Sequence, residues 1–187
     1  MIPKIWKALP NDHYREVMTH CLIKKNHTVA SDSYILVKHQ TIDLFPESFI
    51  KTLPAEGIYV DAFGMKELAK KTASDVELLG DWLRIAHVDK TKTWYVEVKI
   101  SQVDFSELGK YPDYESVIPK LKEDLGPQEK VKFNPMLMNN LKEAMGAHKH
   151  LIFYFNKNVT GVTFVKSDNE DYQAIGLIMG GVFLENE

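Results

Sequence analysis

Pro112 and Pro119 constrain this chain more than any other pair of residues. Both lie in the segment Gly109-Lys110-Tyr111-Pro112-Asp113-Tyr114-Glu115-Ser116-Val117-Ile118-Pro119. Each ring fixes its own φ and pushes the preceding residue, Tyr111 or Ile118, toward extended conformations. The segment is therefore neither a helix interior nor a central strand. Gly109 and Asp113 add turn chemistry. Yet Tyr111, Tyr114, Val117 and Ile118 supply apolar bulk that a loose linker does not need. The stretch reads as an ordered, packed connector. The same pattern flanks it on both sides: an extended run, a short amphipathic helix, then strands.

Residues 1–16 are polar with Pro3 and Pro10, which predicts an irregular arm with at most a turn of helix around Asp12–Val17. Met18–Lys24, Thr28–Asp32 and Ser33–Lys38 form a meander of short strands, the first two joined by a turn at Lys25-Asn26-His27. Residues 40–56, with Pro46 and Pro54, read as a connection across the surface. Ile58–Asp61 is a strand. In Phe63–Thr72, the residues Met65, Leu68, Ala69 and Thr72 share one face at helical spacing. Lys66 and Lys70 lie on the opposite face, with Lys71 at its flank. Asp75–Leu79, Trp82–His87 and Thr93–Ser101 follow as strands around turns at Gly80-Asp81 and Asp89-Lys90.

Beyond the connector, Lys130–Phe133 reads as a strand. Asn134 suits an N-cap, with Pro135 at the first helical position. Leu137, Leu141, Ala144 and Met145 form an apolar stripe, and Gly146 suits the helix end. Leu151–Asn156, Gly161–Ser167 and Ala174–Met179 are three further strands. Strand–helix–three strands thus occurs twice at a period of about seventy residues, and the leading meander matches the trailing half of a third copy. The predicted class is α+β: βαβββ units with an antiparallel sheet and the helices on one face.

Composition narrows the function. The chain is 44% hydrophobic and 26% charged, ordinary for a soluble globular protein. No run approaches the roughly 18 apolar residues of a membrane helix, and Met1–Lys7 does not have the form of a secretory signal. The single cysteine, Cys21, excludes an internal disulfide or a Cys-based zinc site. A cytoplasmic setting and no membrane partner are expected. Net charge is −3, and of 23 basic residues only Arg15 and Arg84 are arginines. That argues against reading base edges, which relies on the guanidinium fork. Lysines can still meet a phosphate backbone without reading sequence, or simply keep the surface solvated.

No catalytic constellation stands out. There is no phosphate loop, no Gly-rich dinucleotide turn and no His-Glu-x-x-His. His148-Lys149-His150 lacks a third metal ligand. Cys21 sits in an apolar run and reads as a small buried hydrophobe. Asp168, Glu170 and Asp171 read as an acidic hairpin tip, and Asp61, Asp81 and Asp89 lack the spacing of a two-metal nuclease. No enzyme activity, metal or cofactor is expected.

With connector and repeat in hand, the chain resembles the bacterial DNA polymerase sliding clamp, the polymerase III beta-subunit family. Gly109-Lys110-Tyr111-Pro112-Asp113-Tyr114 through Val117-Ile118-Pro119 is similar to the Gly-(Lys/Arg)-Phe-Pro-Asp-Tyr…Val-(Ile/Leu)-Pro segment closing that family's middle domain. Thr28-Val29-Ala30-Ser31-Asp32-Ser33-Tyr34-Ile35-Leu36 resembles its Val-Ala-Thr-Asp-Gly-His-Arg-Leu strand pair. Phe133-Asn134-Pro135 with the following helix, and Ala174–Met179, resemble the start of the last half-domain and its final strand. Departures are plain. The family has three domains of two half-units each, and this chain is about half that length. Ser33 and Ile35 replace a Gly and an Arg, and Met179-Gly180-Gly181-Val182 replaces Met-Pro-(Met/Val)-Arg.

The resemblance implies a clamp-like α+β fold with an arm at 1–16, a middle-domain equivalent at 17–119 and a half-domain at 120–187. It implies a processivity factor that holds duplex DNA without sequence preference, as a homo-oligomer. Phosphate-facing candidates are Lys66, Lys70, Lys71, Lys142 and Lys149. It further implies a pocket for short peptides of a DNA polymerase or other partners, lined by Ser31, Ser33, Tyr34, Ile35, Leu36, Pro112, Val117, Leu177 and Met179. The alternative is a degenerate clamp-like interaction module that does not encircle DNA.

Overall fold

The predicted meander forms, and the strands it adds to bury both of their faces. The computed structural model describes residues 2–10, 15–105, 107–118, 133–147, 149–155, 162–169, 171 and 174–180. β1 (His20–Ile23), β2 (His27–Ser31) and β3 (Ile35–Gln40) pair antiparallel in chain order. β4 (Ile58–Asp61) pairs with β1 in register Cys21 to Val60. A three-stranded sheet follows, made of β5 (Ala73–Leu79), β6 (Trp82–Asp89) and β7 (Lys92–Lys99). The short β8 (Ser101–Gln102) returns to edge β4. On the other flank β3 pairs with the last strand, β11 (Ile175–Met179), which pairs with β10 (Val162–Ser167) and thence β9 (Leu151–Phe155). Among the described residues the result is one eight-stranded sheet, β8-β4-β1-β2-β3-β11-β10-β9, and the three-stranded one.

Alternation along the large sheet divides its side chains between two cores. Cys21, Ile23, Ala30, Ile35, Val37, Ile58, Val60, Val165 and Ile178 face one. Leu22, Val29, Leu36, Tyr59, Phe164 and Leu177 face the other. Strands buried on both sides need apolar residues at every position, which is why they appear as continuous apolar runs.

Helices cover the first face. α1 spans Glu47–Thr52, α2 Ala62–Leu68 and α3 Pro135–Met145. Asp61 caps α2, its Oδ1 accepting the Gly64 N–H at 2.7 Å. α3 begins and ends as its residues dictate: the Asn134 side chain accepts the Met136 N–H, Pro135 takes the first turn, and Gly146 closes it at φ 66°. The paired bonds Gly146 N–H to Glu143 O and Ala147 N–H to Lys142 O complete that C-terminus. Met65 and Leu68 of α2, Ala69 just after it, and Leu141, Ala144 and Met145 of α3 enter the same core.

Several local expectations are corrected. Residues 40–56 are not a bare surface connection. They hold a 3₁₀ turn, Thr41–Asp43, and α1, and they bury Phe45, Phe49 and Leu53. Pro46 marks the start of that helix rather than a break. The arm is likewise no peripheral strip, because a 3₁₀ turn at Ile5–Ala8 buries Ile5 and Ala8 completely and packs on α2 and α3. The expected turn around Asp12–Val17 is a 3₁₀ turn at Glu16–Thr19, so Met18 and Thr19 precede β1 rather than join it; residues 11–14 lie outside the described set. α2 stops at Leu68, short of Thr72. Thr72 is already engaged with the neighbouring sheet, its carbonyl accepting the Val88 N–H and its Oγ1 bonded to His87. The strand expected at Lys130–Phe133 lies outside the described residues except for Phe133, which is not in a strand.

Candidate functional site

The five lysines singled out by sequence lie on or beside the helix layer. Lys66 is exposed on α2, and Lys70 and Lys71 are exposed in the turn after it. Lys142 is half-buried in the last turn of α3, and Lys149 is exposed before β9. α2 and α3 share one core, so their outward sides belong to one face of the sheet. Phe63 on α2 and Met136 on α3 are exposed as well.

Lys70 already has a partner. Its Nζ donates to both oxygens of Glu67 at 2.6 and 2.7 Å. Glu67 is itself buried, a position carboxylates rarely hold unpaired. Its other neighbour is the fully buried His87, whose Nε2 lies 3.4 Å from Glu67 Oε2 and whose Nδ1 bonds Thr72 Oγ1 at 3.0 Å. Burial lowers the His87 pKa, with Glu67 opposing the shift. Trp94 stacks on the imidazole at 5.3 Å. Sequence reasoning missed this cluster because its members come from α2 and two strands of another sheet.

Two further lysines belong to the same layer and were not foreseen. Lys4 and Lys7, flanking and within the Ile5–Ala8 turn, both reach Glu143 of α3. The only sequence signal was the spacing of Ile2, Ile5 and Leu9, which marks an apolar anchor inside a polar arm.

On the opposite face, the connector packs as its aromatic content required. Tyr111 and Tyr114 are buried over the second core. Tyr59 ties them down, its hydroxyl donating to Gly109 O at 3.1 Å and accepting the Tyr111 N–H at 3.2 Å. Tyr114 bonds His27 Nε2. Lys38 pairs with Glu115 at 2.5 Å and lies 5.9 Å above the Tyr114 ring. Burial chiefly, with Lys38 next, lowers the His27 pKa, and burial pushes Tyr114 up to about 12. Burial thus disfavours the charged form of His27, which stays bonded to the Tyr114 hydroxyl.

The nine expected pocket residues divide by exposure and by face. Leu36 and Leu177 are cross-strand neighbours in the second core, beside the connector. Tyr34, Val117 and Met179 are exposed at 61%, 51% and 48%, and Met179 N–H bonds Tyr34 O. Ser33 is exposed at φ 76°, and Pro112 is partly buried. Ser31 is buried, its hydroxyl donating to Ile35 O at 2.8 Å. Ile35 does not join the group: strand alternation turns it into the helix-side core.

Other candidates are structural. Burial raises the Cys21 thiol pKa, and its Sγ donates to Val29 O, which makes it an inert core residue. Asp168 accepts the backbone N–H groups of Lys149 and His150, and Asn169 Nδ2 donates to Gly146 O at 2.6 Å, so this turn braces the end of α3. His148 and Glu170 lie outside the described residues. Among the described residues no cluster of three or more His, Cys, Asp or Glu is placed to hold a metal ion. No described helix is long and apolar enough to cross a membrane.

No protein-family description and no curated protein sequence matches this chain. Among solved structures, the chain is similar to the DNA polymerase III beta chain of Streptococcus pneumoniae TIGR4, with TM-score 0.57 and 12% identity over 96% of this chain and 62% of that one. A protein assigned as a DNA polymerase III beta subunit from Eubacterium rectale ATCC 33656 matches at TM-score 0.48 and 11% identity, over 98% of this chain and 65% of its own. This chain spans less than two thirds of either. The first likeness establishes the architecture: a clamp-like α+β fold with antiparallel sheets.

Proposed function

We propose that this chain is a sliding-clamp-like DNA polymerase accessory factor that contacts duplex DNA without reading its sequence and docks partner peptides. The observation that carries the reading is the arrangement of its layers. α2 and α3 lie over one face of a continuous sheet with lysines on their outward sides, and the proline-bearing connector packs on the other face. Ammonium groups on helices meet phosphates as point charges, which positions a protein on a duplex but specifies nothing. Lys66, Lys70, Lys71, Lys142 and Lys149 form this contact. Partner peptides dock at Ser33, Tyr34, Val117, Pro112 and Met179, with Ser31, Leu36 and Leu177 forming the floor behind them. Met179 suits varied apolar ligands because its thioether is flexible and polarizable. Such a role needs no catalytic group or cofactor, and its setting is the cytoplasm. Residues 17–119 serve as the middle-domain equivalent, 120–187 as half of a last domain, and the ring closes from several copies.

Duplex binding followed by fluorescence anisotropy tests the reading. Replacing Lys66, Lys70 and Lys71 together by Ala should weaken binding and flatten the log K against log salt slope by about 0.9 for each phosphate no longer neutralised. Unchanged affinity and slope would refute the duplex contact. A Met179→Asp variant should lose a clamp-binding peptide that the wild type retains.

The second reading is an interaction module that does not encircle DNA. Exposed Tyr34 and Met179, joined by the Met179 N–H to Tyr34 O bond, favour it, since they need no ring to act. Retention on circular but not linear DNA, together with an oligomeric solution mass, supports the ring; a monomer that leaves both equally supports the module.

A further inference from the structure

The Ile5–Ala8 turn brings a pair of cations into the helix layer. Ile5 and Ala8 are fully buried and fix the turn against α2 and α3. The backbone is pinned as well, Lys4 N–H donating to the Glu143 carbonyl at 3.2 Å. Lys4 Nζ then lies 3.0 Å from Glu143 Oε1, and Lys7 Nζ lies 3.6 Å from Oε2. Two ammonium groups thus hold the two oxygens of one carboxylate. Two non-bridging oxygens of a phosphodiester present the same pair of acceptors to the same donors. All three side chains remain partly open to solvent, so an incoming anion can reach them.

We propose that Lys4 and Lys7 form a phosphate-binding pair on the duplex-contacting face, occupied in the free protein by the Glu143 carboxylate, which a backbone phosphate displaces. This rests on the duplex reading above and deepens it. Glu143 is an internal competitor, so it lowers affinity for every duplex alike and leaves sequence preference untouched. Its hydrogen bond from Lys4 holds its carboxyl below the usual carboxylate range, and it stays charged at neutral pH. The exchange is therefore anion for anion and requires no proton. A partly exposed ion pair of this kind is weak enough to be exchanged. The turn that carries the pair packs on both α2 and α3.

The test compares wild type, Glu143→Gln, Lys4→Ala/Lys7→Ala and the Lys66/Lys70/Lys71→Ala variant. Each is titrated with a labelled linear duplex over a salt series and, by calorimetry, with inorganic tripolyphosphate. Far-UV circular dichroism confirms that each variant is folded. Glu143→Gln should bind duplex about 3- to 10-fold more tightly at low salt, with a slope close to that of wild type, because the same phosphates are neutralised in both complexes. Its affinity for tripolyphosphate should rise as well, and Lys4→Ala/Lys7→Ala should abolish both gains when combined with it. If wild type binds duplex and the Lys66/Lys70/Lys71 variant weakens it, but Glu143→Gln matches wild type, the competitor is refuted and the duplex reading stands. If Glu143→Gln gains tripolyphosphate while no variant binds duplex, the anion pair stands and the duplex reading falls. If neither probe binds any variant, both fall.

Discussion

His39 joins the sheet to the helix layer by one hydrogen bond, its Nε2 donating to the Ala144 carbonyl at 2.8 Å near the end of α3. The ring is fully buried, and burial lowers its pKa from the ordinary 6.5 to about 4, the bond to Ala144 opposing the shift. A depressed pKa means that the unfolded chain binds the proton first as pH falls. Stability from this residue is thus complete above about pH 6.5 and is lost progressively down to about pH 4, a total of about 3 kcal/mol. Urea melts at about pH 7 and about pH 4.5 should show this loss in wild type and a smaller one in His39→Gln, which keeps a donor but does not titrate. Equal losses would remove His39 as the source. The same scale separates what was readable in the peptide site. Ile35 and Leu36 look equivalent in the sequence, yet one residue of strand turns them into different cores. Composition could not tell them apart because both cores are apolar.

Among elements, α3 was legible from its ends inward and α2 was not. Asn134, Pro135 and Gly146 mark α3 by local chemistry alone, and each takes the position its side chain favours. Asn134→Ala should cost about 1 kcal/mol, and Gly146→Ala a similar amount because φ 66° disfavours a Cβ. Both should appear as lower midpoints in denaturant melts with unchanged slope; no change for Gly146→Ala would mean that the helix end relaxes elsewhere. α2 has no such C-terminal signal. It ends where Thr72 is taken up by β6, an interaction no local window contains. α1 was missed for a related reason: Pro46 and Pro54 looked like breaks, whereas Phe45, Phe49 and Leu53 beside and between them are core.

Across the whole molecule, β3 and β11 pair over four residues although they are far apart in sequence, and one core holds α1, α2, α3 and the Ile5–Ala8 turn together. The stretches 17–119 and 120–187 should therefore unfold together. Far-UV circular dichroism and the fluorescence of Trp6, Trp82 and Trp94 should trace one coincident transition; two resolved transitions would mean that each stretch stands alone. The runs of strands after α2 and α3 were visible in the chain because turn residues, caps and apolar periodicity are local. The destination of each strand was not. β4 and β5 flank the same helix yet enter different sheets, and the arm that looks polar supplies two of the deepest core residues. Local sequence determined which elements form and where most of them begin. Tertiary structure alone decided which edges pair, which face each strand offers to each core, and which lysines already hold a carboxylate. Those outcomes depend on partners distant in the chain, whose closeness is a property of the folded state.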